Sequence, residues 1–180
     1  EEFHLDGLRF DATQNIYDSS PNHILAELSK RTRETAGSRP IVLVAENESQ
    51  DVTLLTPVDK GGYGLDAMWN DDYHHSARVA MTGSRDGYYH DYLRTAQELI
   101  SAVKHGFLYQ GQFYPWQKQA RGAPFPRGWP AAALVIFLQN HDQVANTCSG
   151  VRCNSLTSAG RLRALTALTL LAPQTPLLFM

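Results

Sequence analysis

"IVLVAE", residues 41 to 46, is a short run of branched apolar side chains closed by a carboxylate. A run without polar alternation suits a strand buried on both faces. Upstream, "DGLRFDA" (6–12) is a second short apolar run, and "SPNHILAELSKRTRETAGSRP" (20–40) lies between them with helical spacing. Ser20 is placed to cap that helix and Pro21 to enter its first turn. Ile24, Leu25 and Leu28 form its apolar stripe, and Gly37 and Pro40 end it. Strand, helix and strand within about 35 residues make a βαβ unit, and a βαβ unit implies a parallel sheet.

The alternation continues downstream. "YGLDAMW" (63–69) reads as a strand. "DYLRTAQELISAVKHG" (91–106) reads as a helix with Tyr92, Ala96, Leu99 and Val103 on one side and Gly106 as its stop. Residues 107–130 lack periodicity and read as a long loop. "AAALVIFLQN" (131–140) is a further buried strand, and "SLTSAGRLRALTALTLLAP" (155–173) a helix whose leucines from 162 to 171 face a core. "TPLLFM" (175–180) opens a last strand. Five strands in βα alternation fit part of an α/β (β/α)8 TIM barrel, which when whole takes about 250 residues. A doubly wound open sheet is the competing architecture, but no glycine-rich phosphate fingerprint follows any strand. The chain starts without methionine just before one strand and stops inside another, so it reads as a fragment of a longer protein.

The composition narrows the class. Of the 180 residues 43% are hydrophobic and the formal charge is −2, which excludes both a disordered chain and a basic nucleic-acid surface. Neither a secretory signal nor an apolar run of membrane-spanning length is visible, so no membrane partner is expected. Cys148 and Cys153 lie too close in sequence to staple a domain, which points to a reducing, cytoplasmic compartment.

In a barrel of this type the chemistry sits at the C-terminal ends of the strands. Those ends carry, in order, Asp11, Glu46, the Asn70-Asp71-Asp72 cluster, and His141-Asp142 within "QNHDQ". One such acid is ordinarily a helix cap; acids ending three strands in a row are not explained that way. A divalent-metal site would also need a lysine or histidine base near the metal, and no lysine ends a strand, so no metal is assigned. Glycoside hydrolysis needs one ionised and one protonated carboxyl group. Strand alternation sends Leu8 and Phe10 to one face of "DGLRFDA" and Gly7, Arg9 and Asp11 to the other. Arg9 then holds Asp11 ionised, while Val42 and Val44, on the face of Glu46, favour a protonated glutamic acid.

These residues also resemble a known family. "DGLRFDA", "VAEN" and "FLQNHDQ" look like the strand-4, strand-5 and strand-7 signatures of the α-amylase family, glycoside hydrolase family 13. "WNDDYHH" (69–75) followed by "YQGQ" (109–112) is similar to one subgroup of it. The resemblance implies that residues 1–180 are the C-terminal part of a catalytic barrel, approximately strand 4 to strand 8, without strands 1–3 and the flanking domains. It implies Asp11 as nucleophile, Glu46 as general acid/base and Asp142 as transition-state stabiliser, with Arg9 and His141 in support. Trp69, Asp71, Asp72, His74 and His75 then fall where the terminal trehalose of a malto-oligosyltrehalose substrate would bind. The implied reaction is retaining cleavage of the adjacent α-1,4 bond of this malto-oligosaccharide, releasing trehalose, with no cofactor. A branching or debranching enzyme and a non-catalytic glucan-binding module are the alternatives, and the isolated piece is expected to be inactive. Ala145 departs from the family, where glycine is common. His4, His23, His90 and His105 read as surface residues; Tyr114, Trp116 and Trp129 either stack on sugar rings or anchor their loop.

Overall fold

The computed structural model describes residues 4–146 and 150–179, which leaves Cys148 outside the described residues. The chain divides into two compact units, Glu1–Trp69 and Asn70–Met180.

In the first unit β1 (Gly7–Phe10), β2 (Val42–Ala45) and β3 (Ala67–Trp69) pair in parallel, with Phe10 opposite Ala45 and Ala45 opposite Met68. The crossover α1 (Ile24–Ala36) joins β1 to β2, as the βαβ reading expects. It starts later than expected. The Asp18 carboxylate accepts from the backbone N–H groups of Ser20 and Ile24, and His23 Nδ1 accepts from Leu25, so His23 and not Ser20 is the cap. Leu25, Ser29 and Ala36 are buried, whereas Ile24 and Leu28 are exposed. Ser29 explains the offset: its hydroxyl donates to Gly64 O at 2.9 Å, turning that helix face inward. β2 is not buried on both faces. Leu43 and Ala45 are fully enclosed, but Val42 is 54% exposed, and Leu8 of β1 is exposed as well.

The second unit opens with α2 (Asp71–Thr82), a helix the apolar spacing does not announce because its buried face includes Asp72, His74, His75 and Ser76. α3 (Ala96–His105) begins at a capping box of Thr95 and Glu98, which leaves Tyr92 outside the helix. The supposed loop contains a hairpin, β4 (Phe113–Tyr114) against β5 (Gln119–Ala120). β6 (Leu134–Ile136) is buried throughout, and two short helices follow it, α4 (His141–Ala145) and α5 (Cys153–Leu156). α6 (Ala159–Leu171) leads to β7 (Thr175–Pro176), which pairs in parallel with β6. The core of this unit is Tyr73, Ala77, Ala102, Ile136 and Leu138, with Leu162 and Leu165 packed against it. Tyr73 Oη and Thr169 Oγ1 lie 2.8 Å apart, which sets the rotation of α6. Leu168, Leu170 and Leu171 are therefore exposed and not core.

Among the described residues β1 with β2, β2 with β3 and β6 with β7 pair in parallel, an α/β fold of the kind from which barrels are built. Truncating a fully enclosed strand residue leaves a cavity, so Leu43→Ala in the full-length protein is expected to cost about 2–5 kcal/mol in denaturant unfolding. Leu171→Ala, at a side chain 85% exposed, is expected to stay within about 0.5 kcal/mol.

Candidate active site

Parallel pairing of β1 with β2 aligns their C-terminal ends, since Phe10 is opposite Ala45 and the next residues are Asp11 and Glu46. Glu46 N–H donates to Phe10 O at 2.9 Å, which continues the ladder one step beyond the strands. The chain then turns sharply. Ala12 takes a left-handed backbone (φ 41°, ψ 49°), and its N–H donates to Glu46 Oε2 at 3.1 Å. Thr13 donates to Glu46 O from both its N–H (2.9 Å) and its hydroxyl (2.7 Å), and Asn47 Nδ2 donates to Thr13 Oγ1. Thr13 and Asn47 are buried. This clasp fixes the backbone on which both acids stand.

Arg9 occupies the centre of the arrangement. Its Nη1 is 2.7 Å from Asp11 Oδ1 and its Nη2 is 2.6 Å from Glu46 Oε2, so two carboxylates share one guanidinium. The guanidinium lies over the Trp69 ring, 4.3 Å from its centroid, and Trp69 is itself buried at the end of β3. A planar, delocalised cation suits both contacts in a way a lysine ammonium does not. This corrects the expected division of environments. Glu46 is ion-paired to Arg9 as Asp11 is. The exposures differ instead, at 75% for the Asp11 side chain and 23% for that of Glu46.

The remaining candidates belong to the second unit. Asp142 stands in the first turn of α4, beyond the end of β6, where Asn140 and Gln143 form a capping box. Its Oδ1 accepts from Asn146 Nδ2 and lies 3.4 Å from His141 Nε2. Asp71 is half-buried at the start of α2. Asp72, His74 and His75 point inward, where contact with a ligand was expected. The Asp72 carboxylate accepts from Tyr92 Oη, from the Leu108 and Tyr109 backbone N–H groups, and from Arg121 Nε. Both Asp72 and Arg121 have fully buried side chains. His75 Nδ1 lies 3.0 Å from Tyr92 Oη and His74 Nε2 lies 3.0 Å from Tyr89 Oη. Burial pushes the His74 pKa down to about 3, helped by the charge of Arg78, and that of His75 well below its ordinary value. Both imidazoles are thus neutral near pH 7. Burial and the nearby Asp72 charge push the Tyr92 phenol up.

Two parts of this architecture escape sequence reading. Arg121 stands 49 residues from Asp72, and Thr13 is an unremarkable polar residue after a strand; no local pattern marks either. The sequence-level trace of Arg121 was its position in a stretch otherwise read as a loop.

No protein-family model matches the chain. A crystal structure from Salmonella typhimurium, provisionally described as an alpha amylase, matches 99% of this chain with a TM-score of 0.89 and 44% identity, and the match spans 31% of that structure's chain. With the strand-end motifs, this likeness supports the α-amylase family, glycoside hydrolase family 13. The particular relatives are malto-oligosyltrehalose trehalohydrolases. Those of Arthrobacter ramosus and Mycobacterium tuberculosis are 39% and 37% identical over 99% of this chain. The chain spans 31% of the length of each.

Removing one partner of a buried ion pair strands the other, which costs about 3–5 kcal/mol. Asp72→Asn in the full-length protein is expected to lower unfolding stability by about that amount, and denaturant titration measures it. The histidines set a pH dependence of known sign. His74 titrates near 6.5 when unfolded and near 3 when folded, so the unfolded chain binds the extra proton between these values. Stability is expected to fall as pH drops below 6.5, by roughly 1 kcal/mol per pH unit for this group. His74→Gln should flatten that slope, as read from unfolding midpoints between pH 4 and 7.

Proposed function

We propose that the full-length protein is a retaining glycoside hydrolase that cleaves the α-1,4 bond next to the terminal trehalose of malto-oligosyltrehalose. The observation that carries this reading is the pair of carboxylates on one guanidinium at the ends of neighbouring parallel strands. The naming of its relatives supports the substrate. In this reading the chain supplies strands 4 to 8 of the barrel.

Asp11 is the nucleophile: its carboxylate oxygen forms a bond to the anomeric carbon as the glycosidic C–O bond breaks. Glu46 gives its proton to the departing oxygen, and trehalose leaves. Glu46, now a carboxylate, takes a proton from water while the water oxygen attacks the same carbon and expels Asp11. Two inversions restore the α configuration. Arg9 pairs with Asp11 at 2.7 Å and orients it. Its contact with Glu46 belongs to the free protein, because a glutamic acid carrying the proton gains far less from a guanidinium than its carboxylate does. Glu46 therefore leaves Arg9 when substrate arrives. Asp142, steadied by His141, stabilises the positive charge that develops at the sugar ring. Trp69 and Asp71 contribute to the trehalose side, while Asp72 holds the Leu108 and Tyr109 backbone N–H groups and, with the buried His74 and His75, does not touch sugar.

Glu46→Gln is expected to lower turnover of maltotriosyl trehalose by about 10²- to 10⁴-fold with substrate binding retained. The assay reads free trehalose. Near-normal release would assign the proton to another residue, and transfer of the glucan to a second glucan in the parent enzyme would make it a branching enzyme.

A further inference from the structure

The second unit contains a cavity of about 470 Å³ that the proposed chemistry does not use. This lies within the range of small-molecule sites, about 300–1,000 Å³. Ala131 and Leu134, at the start of β6, form part of its wall, whereas Asp142 follows the other end of that strand. Its charge is one-sided. Lys104, His105 and Arg127 line it, and among the described residues no Asp or Glu does. In a chain of formal charge −2 that imbalance does not follow from composition. None of the three side chains forms an ion pair among the described residues.

The wall that carries Arg127 is stiff. Residues 124–130 read "PFPRGWP", and each proline fixes its own φ. The Trp129 N–H donates to Pro126 O at 3.3 Å, which closes a turn with Arg127 and Gly128 at its corner. Gly128, at φ 84°, supplies the positive φ that the third residue of a type II turn needs. Gly106, at the end of α3, carries no Cβ; one placed there would lie 2.7 Å from the Phe125 Cβ. That absence admits Phe125, whose ring meets Trp129 edge to face at 5.9 Å. A guanidinium and an aromatic ring thus share one fixed wall of the cavity.

A helix C-terminus attracts cations, which accounts for Lys104 and His105 in the last turn of α3. It does not account for Arg127, which belongs to the separate turn, nor for all three lining one cavity. Gln174 is wall and not ligand contact: its Nε2 donates to Ala102 O and Val103 O, and its Oε1 is closed off from solvent. A cleft lined by one sign of charge concentrates ligands of the other sign. A phosphate monoester suits these groups better than a carboxylate, because it brings a larger charge and three terminal oxygens to three donors. Arg127 offers a fork of N–H groups, Lys104 a compact charge and His105 a ring N–H. Trp129 offers an apolar face to a ring.

We propose that this cavity binds a small phosphate monoester built on a ring, with the phosphoryl oxygens on Lys104, His105 and Arg127 and the ring against Trp129. Sugar phosphates and nucleoside monophosphates share this chemistry. The site is independent of the reaction proposed above.

The test uses full-length protein labelled with 5-fluorotryptophan, with the Trp129 resonance assigned by its loss in Trp129→Phe. Glucose 6-phosphate or AMP should move that resonance saturably, and the tighter of the two names the source. No movement with either overturns the proposal, as does equal affinity for glucose or adenosine, for glucuronate, or for inorganic phosphate. Lys104→Gln and Arg127→Gln should each weaken the apparent affinity about tenfold. Both side chains are exposed, so these variants keep the fold. Lys118→Gln, at an exposed residue between β4 and β5 and outside the cavity, should leave the affinity unchanged. Unchanged affinity in the first two variants, or an equal loss in all three, overturns the proposal.

Discussion

Two carboxylates at the ends of adjacent strands repel each other, and the Arg9 guanidinium between them is what makes the arrangement stable. At an effective dielectric near 20, unit charges about 4 Å apart interact by about 4 kcal/mol. Arg9 converts that repulsion into two attractions, at 2.7 Å to Asp11 and 2.6 Å to Glu46. Its own position is set from below by the Trp69 ring. The left-handed turn at Ala12 and the double donation of Thr13 to Glu46 O then prevent the strand ends from separating. Parallel pairing, an aromatic platform and a bidentate cation thus act together on the same few atoms.

The second unit solves a different electrostatic problem. Asp72 and Arg121 are fully buried, and such a pair stabilises only when every lone pair and proton is satisfied. Asp72 meets that requirement with four donors drawn from Tyr92, Leu108, Tyr109 and Arg121. The gain is specificity: the carboxylate ties the backbone at 108–109 to the first turn of α2, and the hairpin that follows stands on it. His74 and His75 join the same cluster as neutral rings, because burial removes their ordinary tendency to take a proton.

The parallel α/β character was legible in the sequence because "IVLVAE" and "DGLRFDA" flank a helix at the right distance. The alignment of Asp11 with Glu46 follows from it, since parallel strands put their ends side by side. What was not legible depended on long-range partners. α2 hides its helical period because the side chains it buries are polar, and they are tolerated only through Tyr89, Tyr92 and Arg121. The start of α1 moved to His23 because Asp18, and not Ser20, satisfies the Ile24 N–H. The pairing of Glu46 with Arg9 was hidden for the same reason: alternation along one strand says which face a residue takes, not which neighbour's charge it meets.

The central claim is that the carboxylate pair held by Arg9 divides its labour, with Asp11 bonding to the sugar. Trapping the covalent intermediate tests this most directly. A fluorinated α-glucosyl fluoride that esterifies the enzyme quickly and hydrolyses slowly, followed by peptide mass spectrometry of the full-length protein, identifies the attacking residue. The account predicts one glycosyl group on Asp11. A label on Glu46 or Asp142, with Asp11 unmodified, would contradict it.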